Sequence, residues 1–105
     1  MKRAVYVGVD NGSESGGLAA ISKSDGKMLA RTSMPNTRFK NHPEVNIMAV
    51  EEFLKALGTD EITVVIEEPG GSKSAVAAKS MAGCFHALRA LCELRQYRWF
   101  RITPQ

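Results

Sequence analysis

Two carboxylates in this 105-residue chain stand where chemistry is often done. Asp10 closes the run AVYVGVD, and Glu67 closes the run EITVVIE. Each is followed at once by a turn rich in glycine and serine. If the two runs are neighbouring parallel strands, their C-terminal ends meet and so do the carboxylates. In open α/β sheets that edge is where ligands bind. Two carboxylates a few ångströms apart repel unless a cation neutralises them, and Mg²⁺ or Mn²⁺, hard ions that prefer oxygen, suit the role. A pair of such ions can activate water and stabilise the leaving oxygen in phosphodiester cleavage. Singly, either residue can be a strand end that merely solvates its turn, and for Asp10 alone that reading is the better one. The matched placement of the two is what favours the metal reading. Glu68 falls on the other face by strand alternation and reads as a solvated turn residue or a supporting partner.

A second cluster follows Glu67. Ser72 and Ser74 flank Lys73 at an expected helix start, so hydroxyls, an ammonium and free backbone N–H groups converge on one place. That combination suits a phosphate, and Gly70-Gly71 allows close backbone approach. An ordinary serine cap beside a surface lysine accounts for the same residues. Lys79, one turn further on, extends the basic character. His86 falls on the polar side of the helix and reads as solvated. Tyr97, Trp99 and Phe100, interleaved with Arg98 and Arg101, can stack on bases but also suit the packing of a strand.

The elements that must position these groups can be read from pattern. Residues 4–10 are apolar on both parities, which marks a strand covered on two sides. Residues 18–22 and 27–34 make two further strands joined through Asp25-Gly26, giving an antiparallel meander. Residues 35–42 read as a polar loop, and Asn41-His42-Pro43-Glu44 as a helix start. Ile47, Val50, Leu54 and Leu57 keep helical spacing, with Gly58 as the terminator. Residues 61–67 form a buried strand parallel to its neighbour. A long helix runs to about Gln96, with Ala77, Met81, Cys84, Phe85, Leu88, Leu91 and Cys92 as its apolar stripe. Residues 97–103 supply the last strand.

Composition bounds the rest. At 44% hydrophobic and 24% charged, with net charge +3, the chain is one ordinary globular domain. It has no membrane-length apolar run and no signal-peptide pattern at its start. The charge is uneven. Residues 1–68 carry eight basic and ten acidic side chains, whereas residues 69–105 carry six basic and one acidic. Such a basic half can neutralise the phosphates of nucleic acid, or simply be a solvated surface. Cys84 and Cys92, eight apart in a helix, are ~12 Å apart and cannot bridge each other. They read as small core residues in a reducing cytosol.

With these motifs in place, the sequence resembles the RuvC-type Holliday junction resolvases of the RNase H-like superfamily, in their phage-like forms. The carrying stretches are VGVDNGSESGGLAAI (7–21), VVIEEPGGSKS (64–74), SMAG (80–83) and RITPQ (101–105). The resemblance implies an α/β domain with a mixed five-stranded sheet, order 3-2-1-4-5 counted along the chain, and flanking helices. It implies Asp10 and Glu67 as catalytic ligands of Mg²⁺ or Mn²⁺. It assigns contact with branched or double-stranded DNA to Gly70, Gly71, Ser72, Lys73, Ser74 and Lys79. It further implies a homodimer in the cytoplasm of a bacterium or phage-infected host. The family continues into a last helix whose carboxylates complete the metal site, whereas this chain has no acidic residue after Glu93. The expectation is therefore a domain lacking its C-terminal helix, with an uncovered apolar sheet face that favours self-association and with weak or no nuclease activity.

Two other readings remain. The hairpin VGVDNGSESGGLAAISKSDGKMLA is similar to the phosphate-binding hairpin of sugar kinases and actin-like ATPases, with Asp10 and Gly12 near the phosphates. Alternatively, the chain is a nucleic-acid-binding module that kept the fold without the chemistry.

Overall fold

A computed structural model describes residues 3–13, 15–69 and 74–103. The first run of alternating valines becomes β1 (Val5–Asp10), flanked by β2 (Gly17–Ser22) and then β3 (Met28–Ser33). A small hairpin of β4 (Asn36–Phe39) and β5 (His42–Val45) leads into α1 (Ile47–Lys55). β6 (Ile62–Glu67), α2 (Ala75–Arg95) and β7 (Arg98–Ile102) complete the described order. The main sheet has the order β3-β2-β1-β6-β7, which is the anticipated 3-2-1-4-5 once the hairpin strands are counted. β1 is antiparallel to β2 and parallel to β6, and β6 is parallel to β7.

Alternation sorts the sheet into two unlike faces. Val5, Val7 and Val9 of β1, Leu18 and Ala20 of β2, and Ile62, Val64 and Ile66 of β6 are all buried. They form one hydrophobic cluster with Val50 and Leu54 of α1 and with Cys84, Phe85, Leu88, Leu91 and Cys92 of α2. Tyr6, Gly8 and Asp10 alternate onto the opposite face with Thr63, Val65 and Glu67. On that face Phe100 and Ile102 are 61% and 50% exposed. No helix of the described structure is long and apolar enough to cross a membrane.

Three local expectations need correction. Residues 35–42 are not a loop, because β4 and β5 pair from Asn36 with Val45 to Phe39 with His42. Lys40 and Asn41 turn the hairpin with φ of 50° and 66°, the primed geometry that matches strand twist. This closing pair makes the next one, Arg38 with Pro43, a position where no N–H is needed, so the proline fits a strand instead of starting a helix. Asn46 caps α1 instead, its Oδ1 accepting from the Ala49 N–H at 3.1 Å. In α2 the buried stripe begins only at Cys84, and Ala77 is exposed.

Ser74 is the residue that caps α2, accepting from the Ala77 N–H at 2.9 Å. At the other end Gln96 takes the left-handed conformation, φ 59°, and the Tyr97 N–H bonds back to the Cys92 carbonyl at 3.0 Å. The two cysteines are free and buried. Burial pushes the Cys92 thiol up to about 11, with the Glu93 charge acting in the same direction. The folded chain therefore keeps this proton at a pH where the unfolded chain has lost it. Stability is expected to be flat below about pH 9 and to fall by ~1.4 kcal/mol per pH unit between about pH 9 and 11. Chemical denaturation across that range checks this, with Cys92→Ala expected to show a shallower decline.

Candidate functional site

The parallel register decides where the two carboxylates go. β1 and β6 pair from Val5 with Ile62 to Val9 with Ile66. The next residue on each strand is Asp10 and Glu67. They therefore sit side by side at the same strand ends and on the same open face, about one strand spacing (~4.8 Å) apart. Both line an open groove of about 810 Å³ whose floor includes Gly8, Gly17 and Ala19, residues too small to fill it. Gly17 stands opposite Asp10 on β2, so no side chain crowds the carboxylate from that strand. Arg31 of β3 lines the same groove.

The turn between β1 and β2 is built without slack. Gly12 adopts φ +151°, which side chains rarely tolerate, and the Gly16 N–H bonds back to its carbonyl at 3.2 Å. A Cβ on Gly16 would lie 2.2 Å from the Asp10 carbonyl oxygen. Burial raises the thiol of Cys84 in α2, and the Gly12 backbone and the Ser13 side chain offset part of the rise. Asn11 and Ser13 are themselves buried, at 5% and 4% exposure. The Asn11 Nδ2 donates to the Glu67 carbonyl at 3.3 Å, joining the strand ends one step beyond the last backbone pair. Its Oδ1 is buried and meets no hydrogen-bond donor among the described residues.

The remaining candidates divide. Gly70, Gly71, Ser72 and Lys73 lie outside the described residues. Ser74 is engaged as the α2 cap, and Lys79 is exposed on the first turns of that helix. Part of the basic half turns out to be structural. Arg95 pairs with Glu51 of α1, holding that carboxylate below its usual range. Arg101 pairs with Glu68 at 3.6 Å, and its guanidinium stacks 5.3 Å from the Trp99 ring and 5.4 Å from Phe85. Glu68 is thus a partner of the sheet edge and not of the groove. Trp99 packs edge-on to Phe85, whereas Phe100 is exposed on the open face. His86 lies exposed on α2, as its helical position suggested.

As a metal centre, the groove offers two hard-oxygen donors, the carboxylates of Asp10 and Glu67. No cluster of three or more His, Cys, Asp or Glu occurs among the described residues. The fit is therefore to one cation that keeps much of its water, as Mg²⁺ does, and not to an all-protein cage. The Asn11 link was not anticipated from sequence; its signal was an amide side chain directly after a strand-end Asp.

No family model matches the chain, and no curated protein matches it. Solved structures do. Thermus thermophilus RuvC in complex with a Holliday junction substrate superposes with a TM-score of 0.75 at 15% identity, covering 96% of this chain and 65% of that one. YeaZ from Pseudomonas aeruginosa follows with 0.53 at 14% identity, covering 95% and 43%. This chain thus spans just under two thirds of the RuvC chain it matches. At such identities the likeness speaks to fold alone, a mixed α/β fold with a five-stranded sheet similar to that of RuvC.

The tightness of the β1–β2 turn is testable. Gly16→Ala is expected to cost ~2 kcal/mol or more, because the backbone it meets cannot yield cheaply. In a domain of this size that lowers Tm by roughly 10 °C. Gly26→Ala, at a turn with open space around it and φ of 71°, serves as the milder control in the same melting experiment.

Proposed function

We propose that this chain is the carboxylate-bearing, DNA-facing part of a metal-dependent, structure-selective endonuclease acting on branched DNA. The observation that carries the reading is the placement of Asp10 and Glu67 on adjacent parallel strands, at the same end and on the same open face. The neighbouring fold captured with a Holliday junction supports the choice of nucleic acid as substrate. Electrostatics supports the metal. A phosphodiester approaching two carboxylates meets like charge, so productive contact needs a cation between them.

A bound Mg²⁺ or Mn²⁺ would supply Lewis acidity to the phosphate and to an attacking water. Asp10 and Glu67 would hold that ion through carboxylate oxygens, at a spacing set by the sheet and the Asn11 link. Gly8, Gly17 and Ala19 would leave the groove floor low enough for a phosphate backbone to lie across it. Lys79, with Lys73 outside the described residues, would bind flanking phosphates as point charges. With two charged ligands from the described chain, the ion would be held weakly and turnover would be slow.

Mn²⁺ is expected to raise the Tm of the chain, whereas ATP without metal leaves it unchanged. Asp10→Asn and Glu67→Gln should each remove the Mn²⁺ shift and any Mn²⁺-dependent cutting of four-way junctions, with the metal-free Tm no lower than in the parent. Junction cleavage that survives both substitutions would falsify the assignment. An ATP-dependent shift would point to the phosphate-binding hairpin instead. In gel-shift titrations, Lys79→Ala is expected to weaken binding across all DNA sequences and to reduce the salt slope by about one.

A further inference from the structure

On the open face the strands pair into rows. One row runs Asp10, Gly17, Ser33, and the next runs Gly8, Ala19, Arg31. Between the carboxylates and the edge strand β3, therefore, β2 presents only a glycine and an alanine. The following row, Tyr6, Ile21 and Met28, is bulky and ends the low ground on one side. The result is a corridor two rows wide that begins at Asp10 and Glu67, crosses β2 and ends at Arg31 and Ser33, all of which line the groove. Packing does not demand the emptiness of its floor at Gly8. A Cβ there would meet nothing nearer than the Ala19 carbonyl oxygen at 4.0 Å, and a glycine in mid-strand weakens the strand. Such a glycine marks a place where another backbone comes close.

Arg31 stands at the far end of this corridor. Among the described residues it is the one basic side chain that lines the groove, and it makes no hydrogen bond or ion pair with any of them. A solvated charge on an edge strand accounts for the arginine, but not for the cleared floor between it and the carboxylates. Two strand spacings of ~4.8 Å and two residues of ~3.3 Å place its Cα ~12 Å from that of Asp10. An extended arginine side chain covers about half of that distance, which leaves about one nucleotide between its guanidinium and a cation on the carboxylates. A phosphodiester strand repeats its charge at every nucleotide, and the planar guanidinium fork matches two phosphate oxygens at once. We propose that Arg31 binds the phosphate one nucleotide removed from the one at the carboxylates, so that the cut strand crosses β2 from Asp10 and Glu67 toward the β3 edge. This assignment rests on the carboxylate reading given above and adds to it the direction in which the strand leaves the site.

Four-way junctions that carry a single neutral methylphosphonate, moved one position at a time through the branch point, test it. They are titrated with the full chain in Ca²⁺ in place of Mn²⁺. In the parent protein the substitution is expected to weaken binding about tenfold where it removes the charge that Arg31 meets. Arg31→Ala is expected to bind the unmodified junction about tenfold more weakly and to be indifferent to the methylphosphonate at that position, while other sensitive positions stay sensitive. Arg31→Lys, which keeps the charge and loses the fork, should fall between the two. The metal-free Tm of Arg31→Ala should equal that of the parent, since the side chain is exposed and unpaired. Unchanged junction affinity in Arg31→Ala would overturn the inference. So would a variant that binds weakly but keeps every sensitive position of the parent, because its charge then acts only at a distance. A parent protein that binds no junction DNA overturns the nucleic-acid reading and this inference together. The carboxylate reading fails by a different result, a Mn²⁺ response that persists in Asp10→Asn and Glu67→Gln, and the placement of the strand falls with it.

Discussion

Everything distinctive about this molecule follows from the pairing of β1 with β6. Had the two strands run antiparallel, Asp10 and Glu67 would lie at opposite ends of the sheet. Had the register slipped by one, one carboxylate would turn into the apolar cluster beneath Val9 and Ile66. The observed pairing instead concentrates like charge at one end of one face. Hydrophobic burial on the far face, from valines and isoleucines at every second position, supplies the free energy that holds the charges together.

The turn after β1 shows how that end of the sheet is kept in shape. Gly12 and Gly16 bring the backbone back on itself, and Asn11 ties it sideways to β6. Opposite, the Glu68–Arg101 pair with its aromatic bed of Trp99 and Phe85 anchors the end of β6 to β7. An exposed ion pair contributes little by itself. Stacking on two rings gives this one a fixed geometry, which serves position more than stability.

Much of this was legible in the residues. The β-branched runs around Val7 and Val64 announced strands covered on one or both faces, and the turns after Asp10 and Glu67 announced where they stop. From those facts the sheet order and the pairing of the two carboxylates could be anticipated. The hairpin at 36–45 was not legible, because Lys40 and Asn41 adopt positive φ without the glycine that usually signals it. Pro43 looked like a helix start because its missing donor is harmless at that register. Long-range polar links were hidden for a different reason. Asn11 meets Glu67 across 56 residues and Arg95 meets Glu51 across 44, and no local periodicity encodes such contacts. That residues 70–73 contact DNA stays an expectation, since those residues are outside the described chain.

The link from Asn11 to Glu67 has a consequence for how such a site can change over time. It grips the main-chain carbonyl of residue 67, which every amino acid possesses, and leaves the carboxylate alone. Scaffold and charge are thereby inherited separately. Descendants of this chain can exchange Glu67 for another side chain, altering the chemistry or abolishing it, while the spacing of the two strand ends persists. A sheet organised in this way is a reusable mount, and that modularity fits the occurrence of one architecture in proteins as different as RuvC and YeaZ.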